Sequence, residues 1–448
     1  MKTYDFVFVY EGKNRELESV CLLACELEKR GYSVKIIETW WSIFHYIRPV
    51  NAIVTVGHAL YSSATLNYLM SFVNGCQKFV NMQWEQIFTN GDIEYDVVDK
   101  NSSVGVSGIA CKACHLSWGQ INFDRLINKY GVNPSHARIV GNITLDFLRP
   151  EFDGFYTKRE KLLQRYNISD NAEVFLFISS FAYAGLPDSI LNSDLYQNQS
   201  MDANEFARIS VDSQKIVLDW FERFLRENDT SIIVYRPHPA ENDNLRLKEM
   251  EKKYHNFYVI GDLSVKQWIA ISDKIYTWYS SAITEVYVAK KNCGILRPIE
   301  IPYESELEIY NQATFIESYE QFCESISQEK LFPVDVEKLK QFYYIDDNIP
   351  AYIKACDYLE TIYKGEHFNM NLKYDSSIST LRRIGHSVYM NMLKYKCSRD
   401  IILTLFPRRK KRFDMAEFQY NIKMCNANYA SNKEIQKIKR NLTKYIEK

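Results

Sequence analysis

Long hydrophobic runs are missing from this 448-residue chain. No stretch reaches the roughly 18 uninterrupted apolar residues that a membrane span requires. Glycine and proline are scarce, at 16 and 11 residues, which argues against low-complexity linkers and for an ordered, helix-rich protein. Glycine-rich phosphate loops of the Walker or dinucleotide type are absent, which lowers kinase and dehydrogenase readings. The ten cysteines are scattered and suit reduced thiols better than a disulfide framework. Cys111-Lys-Ala-Cys-His115 has the spacing of a covalent haem site. That chemistry accompanies export, however, and the chain opens on the strand-like Tyr4-Asp-Phe-Val-Phe-Val-Tyr10 rather than on a signal peptide. The cysteine spacings support a structural zinc site only weakly, so no metal site is expected. The expectation is a cytoplasmic protein.

Excess charge of one sign is also missing, since the net charge is −1, but that balance hides an asymmetry. Residues 371–448 hold 18 Lys+Arg against 6 Asp+Glu, a balance of +12, so residues 1–370 carry −13. An acidic body argues against nucleic acid as a partner. The basic tail, with Arg408, Arg409, Lys410, Lys411 and Arg412 beside an apolar stretch, suits an anionic membrane surface at the inner face of a bacterial membrane, or an acidic partner; a solvated basic turn is the plain alternative.

What is present is an alternation of short apolar runs with helical periodicity. "FVFVY", "SVKIIE", "NAIVTVG", "KFVNMQW", "ACHLSW" and "ARIVGN" read as strands of a first parallel α/β unit, residues 1–155. "VFLFISS", "SIIVYRP", "NFYVIG", "KIYTWY" and "CGILRP", interleaved with helices, predict a second unit at 156–330. Residues 331–448 read as a helical extension with the basic tail. The expected fold class is therefore α/β, with two Rossmann-like domains facing a cleft.

Three segments carry candidate chemistry. In "SIIVYRPHPAE" a strand ends in Arg236, and Pro237 and Pro239 bracket His238. A planar cation and an imidazole at the carboxyl edge of a strand suit a phosphate that becomes a leaving group; a structural turn would use the same residues. In "KIYTWYSSAITEVYVAKK" a strand gives way to a helix at Ser280 and Ser281, whose hydroxyls and free amides suit an anion, and Glu285 lies one turn on, where it could hold ribose hydroxyls. Ordinary capping would explain the serines but not the glutamate. Ser179 and Ser180, after "VFLFI", are candidates for the nucleotide pocket. In "KFVNMQWEQ" the cluster Gln83, Trp84 and Glu85 ends a strand; Glu85, raised by burial beside Trp84, is a candidate general base, and a salt-bridged carboxylate is the alternative. His58, after the strand "NAIVTVG", belongs with the acceptor side.

The pair His238-Pro239 followed by Ser280-Ser281 resembles the His-Pro and Ser-Ser motifs of bacterial GT-B glycosyltransferases that build surface polysaccharides from CMP-activated sugars, the sialyltransferases and Kdo transferases. "ARIVGNITLDFLRP" is similar to a "GNPRFD"-type stretch of surface-carbohydrate proteins, departing from it at Ile143 and Thr144. The resemblance covers roughly residues 1–330. It implies a metal-independent transferase of capsule or lipopolysaccharide biosynthesis, without a cofactor, whose partners are a nucleotide sugar, CMP-linked, and a glycan or glycolipid acceptor. His238 would act on the leaving phosphate, Arg236, Ser280 and Ser281 would bind it, and Glu285 would bind the ribose. The acid-Gly motif of the sialyltransferases is not plainly present, so Glu85 stands in as the acceptor's base. A CDP-polyol phosphotransferase, or a non-catalytic partner of a polysaccharide assembly complex, would account for the same features.

Overall fold

A computed structural model describes residues 2–38, 49–94, 105–192 and 202–372, apart from short gaps at 59, 72, 185, 187–190, 239–240, 242–243 and 347, together with 385, 388, 392, 396–405, 426 and 428–447. Pro239 and the Arg408 to Arg412 run lie outside the described residues, and with them the expected membrane or partner contact of that run. Among the described residues no helix is long and apolar enough to cross a membrane.

The chain forms two compact units, one of residues 1–86, 98–144 and 341–448, the other of residues 87–97 and 145–340. Of residues 331–448, expected as a helical extension, 341–448 cluster with the first unit and 331–340 with the second.

In the first unit, β1 (Thr3–Tyr10), β2 (Val34–Glu38), β3 (Val50–Gly57), β5 (Lys78–Asn81), β6 (Cys114–Ser117) and β7 (Ala137–Ile139) line up in the order β2-β1-β3-β5-β6-β7, and the two-residue β4 (Val73–Asn74) joins β3. Every pairing is parallel. Phe6 to Tyr10 are all within 2% of full burial, as expected of a strand covered on both faces, which is why β1 reads as a continuous apolar run and does not alternate. Two of the helices between strands are α1 (Glu18–Lys29) and α2 (Ser63–Met70). Ser62 caps α2 by accepting from Thr65 N, and Thr65 closes the reciprocal bond, a capping box built with threonine.

In the second unit, β8 (Glu173–Ile178), β9 (Ser231–Arg236), β10 (Phe257–Val259), β11 (Lys274–Thr277), β12 (Asn292–Leu296) and β13 (Phe315–Ile316) form a six-stranded parallel sheet in the order β10-β9-β8-β11-β12-β13. The long helix α3 (Ala203–Glu227) buries Phe206, Ile209, Val217, Phe221 and Phe224, a 3.6-period stripe against the sheet. It starts earlier than the sequence pattern suggests because Asp202 accepts from Asn204 N and Glu205 N at its first turn. The short helices α4 (Val265–Ile271) and α5 (Ile283–Val288) follow β10 and β11. The two sheets display the expected α/β class with two Rossmann-like units.

The C-terminal helices α6 (Ala351–Lys364) and α7 (Asn432–Ile446) pack on α1. Arg30 donates to Asp357 at 2.7 Å and Glu360 at 3.1 Å, Lys439 reaches Glu28 at 2.5 Å and Lys13 reaches Glu434 at 2.7 Å. Only the Lys439–Glu28 pair sets positive charge of the tail against the acidic body; in the other two a body cation meets a carboxylate of α6 or α7. The return of the chain is tightest at Gly119, where an added Cβ would lie 2.1 Å from the Gln341 carbonyl oxygen and 2.5 Å from Phe342 backbone atoms. Gly119→Ala must therefore push this segment off the unit. It is expected to destabilise the protein by about 1–3 kcal/mol or more in urea denaturation; an unchanged midpoint would mean that the segment is not held there.

Candidate functional site

Parallel strands leave their loops at one edge, and a ligand crevice forms where the winding of an open sheet reverses. In the second unit β9 and β10 build outward on one side of β8, and β11 to β13 on the other. The reversal lies between β8 and β11, and the two predicted serine pairs stand on either side of it. Ser180, after β8, accepts from Tyr279 N, after β11, at 2.7 Å. Ser280 Oγ accepts from Ala282 N at 3.2 Å, while its N–H and C=O are both held by the Tyr310 hydroxyl at 3.2 and 2.7 Å. Ser281 is half-buried, and its carbonyl accepts from Thr284 N. The helix begins later than expected: its cap is Ala282 and α5 has six residues, so Ser280 and Ser281 belong to the loop.

His238 stands exposed on the loop after the neighbouring β9. Its position is governed by Glu241, which the sequence reading passed over. This buried carboxylate accepts from Ser179 Oγ at 2.6 Å, Tyr235 Oη at 2.7 Å, Gln214 Nε2 at 2.8 Å and His238 N at 3.0 Å. Burial pushes the Glu241 carboxyl up from its ordinary value, and these four donors pull it back. Ser179 therefore holds the turn and does not present a free hydroxyl. The signal was a carboxylate three residues after the histidine. Its acceptor atoms bond the backbone of His238, and Glu241 N bonds the His238 carbonyl at 2.8 Å.

Arg236 has another occupation than the one expected. Its guanidinium is buried and donates to the carbonyls of Asp262 at 2.7 Å and of Leu263, with Ile260 at 3.5 Å. Burial brings it down to about 10, and it ties the loop after β10 to β9 in place of presenting an open fork. Glu285 lies on α5. Burial pushes its carboxyl up, and the buried Lys266 on α4 opposes the shift.

The first unit has its own reversal, between β1 and β3, and a pocket of about 240 Å³ opens there, walled by Glu11, Arg15, His58, Tyr61, Trp84 and Glu85 among others. Three predicted residues, His58, Trp84 and Glu85, thus share one pocket; Gln83 precedes it with φ of +37°, a conformation uncommon outside glycine. The buried Gln86 pins this loop, donating to Leu116 O at 2.8 Å and accepting from Trp118 N at 2.7 Å and Asn122 Nδ2 at 2.9 Å. Glu85 is not buried beside Trp84 as expected: its side chain is 51% exposed and ion-paired to Arg15. Arg15 also donates to the fully buried Glu16 at 2.6 and 3.1 Å. Burial alone would lower Arg15, but Glu85 and Glu16 hold it above its ordinary value. His58 Nε2 lies 3.7 Å from Glu11 Oε2. Glu11, Arg15 and Glu16 were missed, although charged residues directly after a buried first strand mark that edge.

No protein-family model matches the sequence, and no curated protein does. Solved structures match along most of the chain. S. aureus MnaA in complex with UDP is 11% identical over 80% of this chain and 96% of its own, with a TM-score of 0.49. UDP-GlcNAc 2-epimerase from Methanocaldococcus jannaschii is 12% identical over 78% and 98%, with a TM-score of 0.47. The wall teichoic acid polymerase TagF is 13% identical over 89% and 90%, with a TM-score of 0.45. At these values the likeness is one of chain architecture and carries nothing about the reaction.

The Cys111-to-His115 segment is structural. Cys114 sits on β6 with its thiol pushed up to about 12 by burial, and no group of metal-ligating side chains occurs among the described residues. The buried His115 uses both ring nitrogens, Nε2 toward Ala110 O at 3.1 Å and Nδ1 toward Asn81 Nδ2 at 3.2 Å. Burial brings it down to about 4. Because the folded value lies below the ordinary 6.5, its contribution is complete above pH 6.5 and is lost as the pH falls toward 4, roughly 3 kcal/mol in all. Urea midpoints between pH 7 and 4.5 should fall less steeply in His115→Gln than in the parent; parallel slopes would assign the acid sensitivity elsewhere. Glu241→Ala, which strands several donors, is expected to cost about 3 kcal/mol in the same assay, and Glu241→Gln distinctly less. Equal losses would remove the carboxylate's special role.

Proposed function

We propose that this chain is a glycosyltransferase that moves a sugar from a nucleotide donor, a CMP-activated acidic sugar of the Kdo or sialic-acid type, onto a surface-polysaccharide or glycolipid acceptor. The observation that carries the reading is the reversal in the second sheet. There the loops after β8 and β11 are bonded to each other through Ser180 and Tyr279, and the adjacent β9 loop presents His238 from a turn held by a buried carboxylate. An exposed imidazole on an immobilised backbone is preorganised to stabilise charge that develops on a leaving phosphate. As the bond between the anomeric carbon and the phosphate oxygen breaks, its electron pair stays with the phosphate, which His238 protonates or hydrogen-bonds, while the acceptor hydroxyl oxygen bonds the anomeric carbon and its proton passes to a base of the acceptor side. The preference for cytidine and for an acidic sugar rests on the resemblance of these motifs to those of CMP-sugar transferases alone.

Phosphate contacts fall to His238, Ser280 and Ser281, since the Arg236 guanidinium is engaged by backbone carbonyls. Glu285 faces the ribose in this reading. On the acceptor side Glu85 and His58 are the two candidate bases. His58, with Glu11 near Nε2, is the better placed to take a proton, because Arg15 already engages Glu85.

Thermal shift against CMP, CDP, UDP, GDP and ADP tests the donor. CMP at 100 times its Kd should stabilise the protein by about 2.7 kcal/mol. His238→Ala should keep the fold and lower turnover about 10²-fold or more. Stabilisation by UDP alone would overturn the donor, and silence toward every nucleotide would favour the assembly-partner reading.

A further inference from the structure

We infer that the pocket at the β1/β3 reversal binds an uncharged polyhydroxylated group, a sugar ring or short polyol, and rejects phosphate. Its role as the acceptor site rests on the function proposed above; its binding chemistry does not.

The first argument is charge. Glu11, Arg15 and Glu85 line the pocket, and Glu16 lies directly behind Arg15. Three carboxylates and one guanidinium leave a net −2 with His58 neutral, and −1 with His58 protonated. Arg15 is moreover engaged by Glu16 and Glu85. An anionic ligand would thus enter a negative field with no open cation to receive it.

The second argument is the match of donors to acceptors. Carboxylate oxygens only accept; Glu16 is spent on Arg15 and on Glu11 N, so it is the half-exposed Glu85, beside its pairing to Arg15, that can still accept from a ligand that donates. Trp84 only donates; it is 3% exposed, and its Nε1 has no hydrogen-bond partner among the described residues. That atom requires a ligand that accepts. His58 Nδ1 is likewise shielded from solvent and unpartnered. An ammonium group satisfies the carboxylates but not the indole, and a fully ionised phosphate satisfies the indole but not the carboxylates. A hydroxyl donates and accepts, so several hydroxyls on one small frame satisfy both sets.

The third argument is size and support. About 240 Å³ falls below the roughly 300–1,000 Å³ typical of drug-sized sites and suits one ring. The wall is held in place by the strained Gln83 backbone and the satisfied Gln86 amide, as a site that must not collapse onto its unpaired groups requires.

The test is saturation-transfer NMR on the full chain with methyl hexosides and glycerol as neutral probes, and glycerol 3-phosphate and inorganic phosphate as anionic ones. The nucleotide thermal shift is recorded on the same samples. Neutral probes should bind, and binding should weaken tenfold or more in Trp84→Phe and in Glu85→Gln. Glu85 is exposed, so that variant keeps the fold. The phosphates should neither bind nor compete. Competition by phosphate, equal binding in both variants, or silence of every neutral probe in protein that still responds to a nucleotide would overturn the inference. Neutral probes that bind protein deaf to all nucleotides would leave it standing and remove the transferase reading instead.

Discussion

A parallel pair of strands cannot be joined by a tight hairpin, so every connection in both sheets must leave one edge, cross a face and re-enter at the other. Among the described residues all eleven pairings between named strands are parallel, so each strand's carboxyl end delivers its loop to the same edge of its sheet. Each sheet winds outward from one central strand and then starts again on that strand's other side. At such a restart the flanking loops of an open sheet diverge, which is where ligands commonly bind. The positions of Ser180, Ser280 and His238 in one unit, and of Glu11, His58 and Trp84 in the other, follow from this single constraint.

The two reversals are finished in opposite ways. In the second unit the loops are stiffened by internal satisfaction. Glu241 gathers four donors, and Arg236 ties three carbonyls. The Arg297 guanidinium is paired with Glu306, donates to Trp278 O at 3.1 Å and stacks 4.6 Å from Phe315. Tyr310 in turn clamps Ser280. Few of these groups remain open for a ligand, so what the loops offer is a shaped edge with His238 projecting from it. In the first unit the reverse holds: around the pocket, burial is combined with Trp84 Nε1 and His58 Nδ1 left unpaired. Leaving a buried polar atom without a partner typically costs about 1–3 kcal/mol, which a ligand hydroxyl can offset.

Legibility followed burial. Continuous apolar runs such as "FVFVY" and "SIIVYR" are covered on both faces, and their strand character could be read directly. The serines of the β8 and β11 loops were legible for the same reason, since a polar pair that interrupts an apolar run must lie at a strand end. Glu241 was not legible. Its partners Ser179, Gln214 and Tyr235 come from three separate elements, and local spacing gives no hint that a surface-type residue will be drawn inside. Arg236 looked like a ligand-binding cation because permanent charge at a strand end usually faces solvent; only the fold brings the carbonyls after β10 within its reach. Glu85 likewise reads as buried beside a tryptophan, whereas the left-handed turn at Gln83 leaves it at the rim facing Arg15.

The sequence by itself determined the class of fold, the order of most strands and helices, and the edge to which chemistry-bearing residues are delivered, because hydrophobic period and strand ends are local properties. Only the tertiary structure decided which side chains meet there. It joined the C-terminal helices to the first unit, turned Arg236 inward, and set Arg15 among three carboxylates. Those outcomes depend on which distant segments a sheet brings together, and pairing across a parallel sheet is set by global winding, which no short stretch of sequence contains.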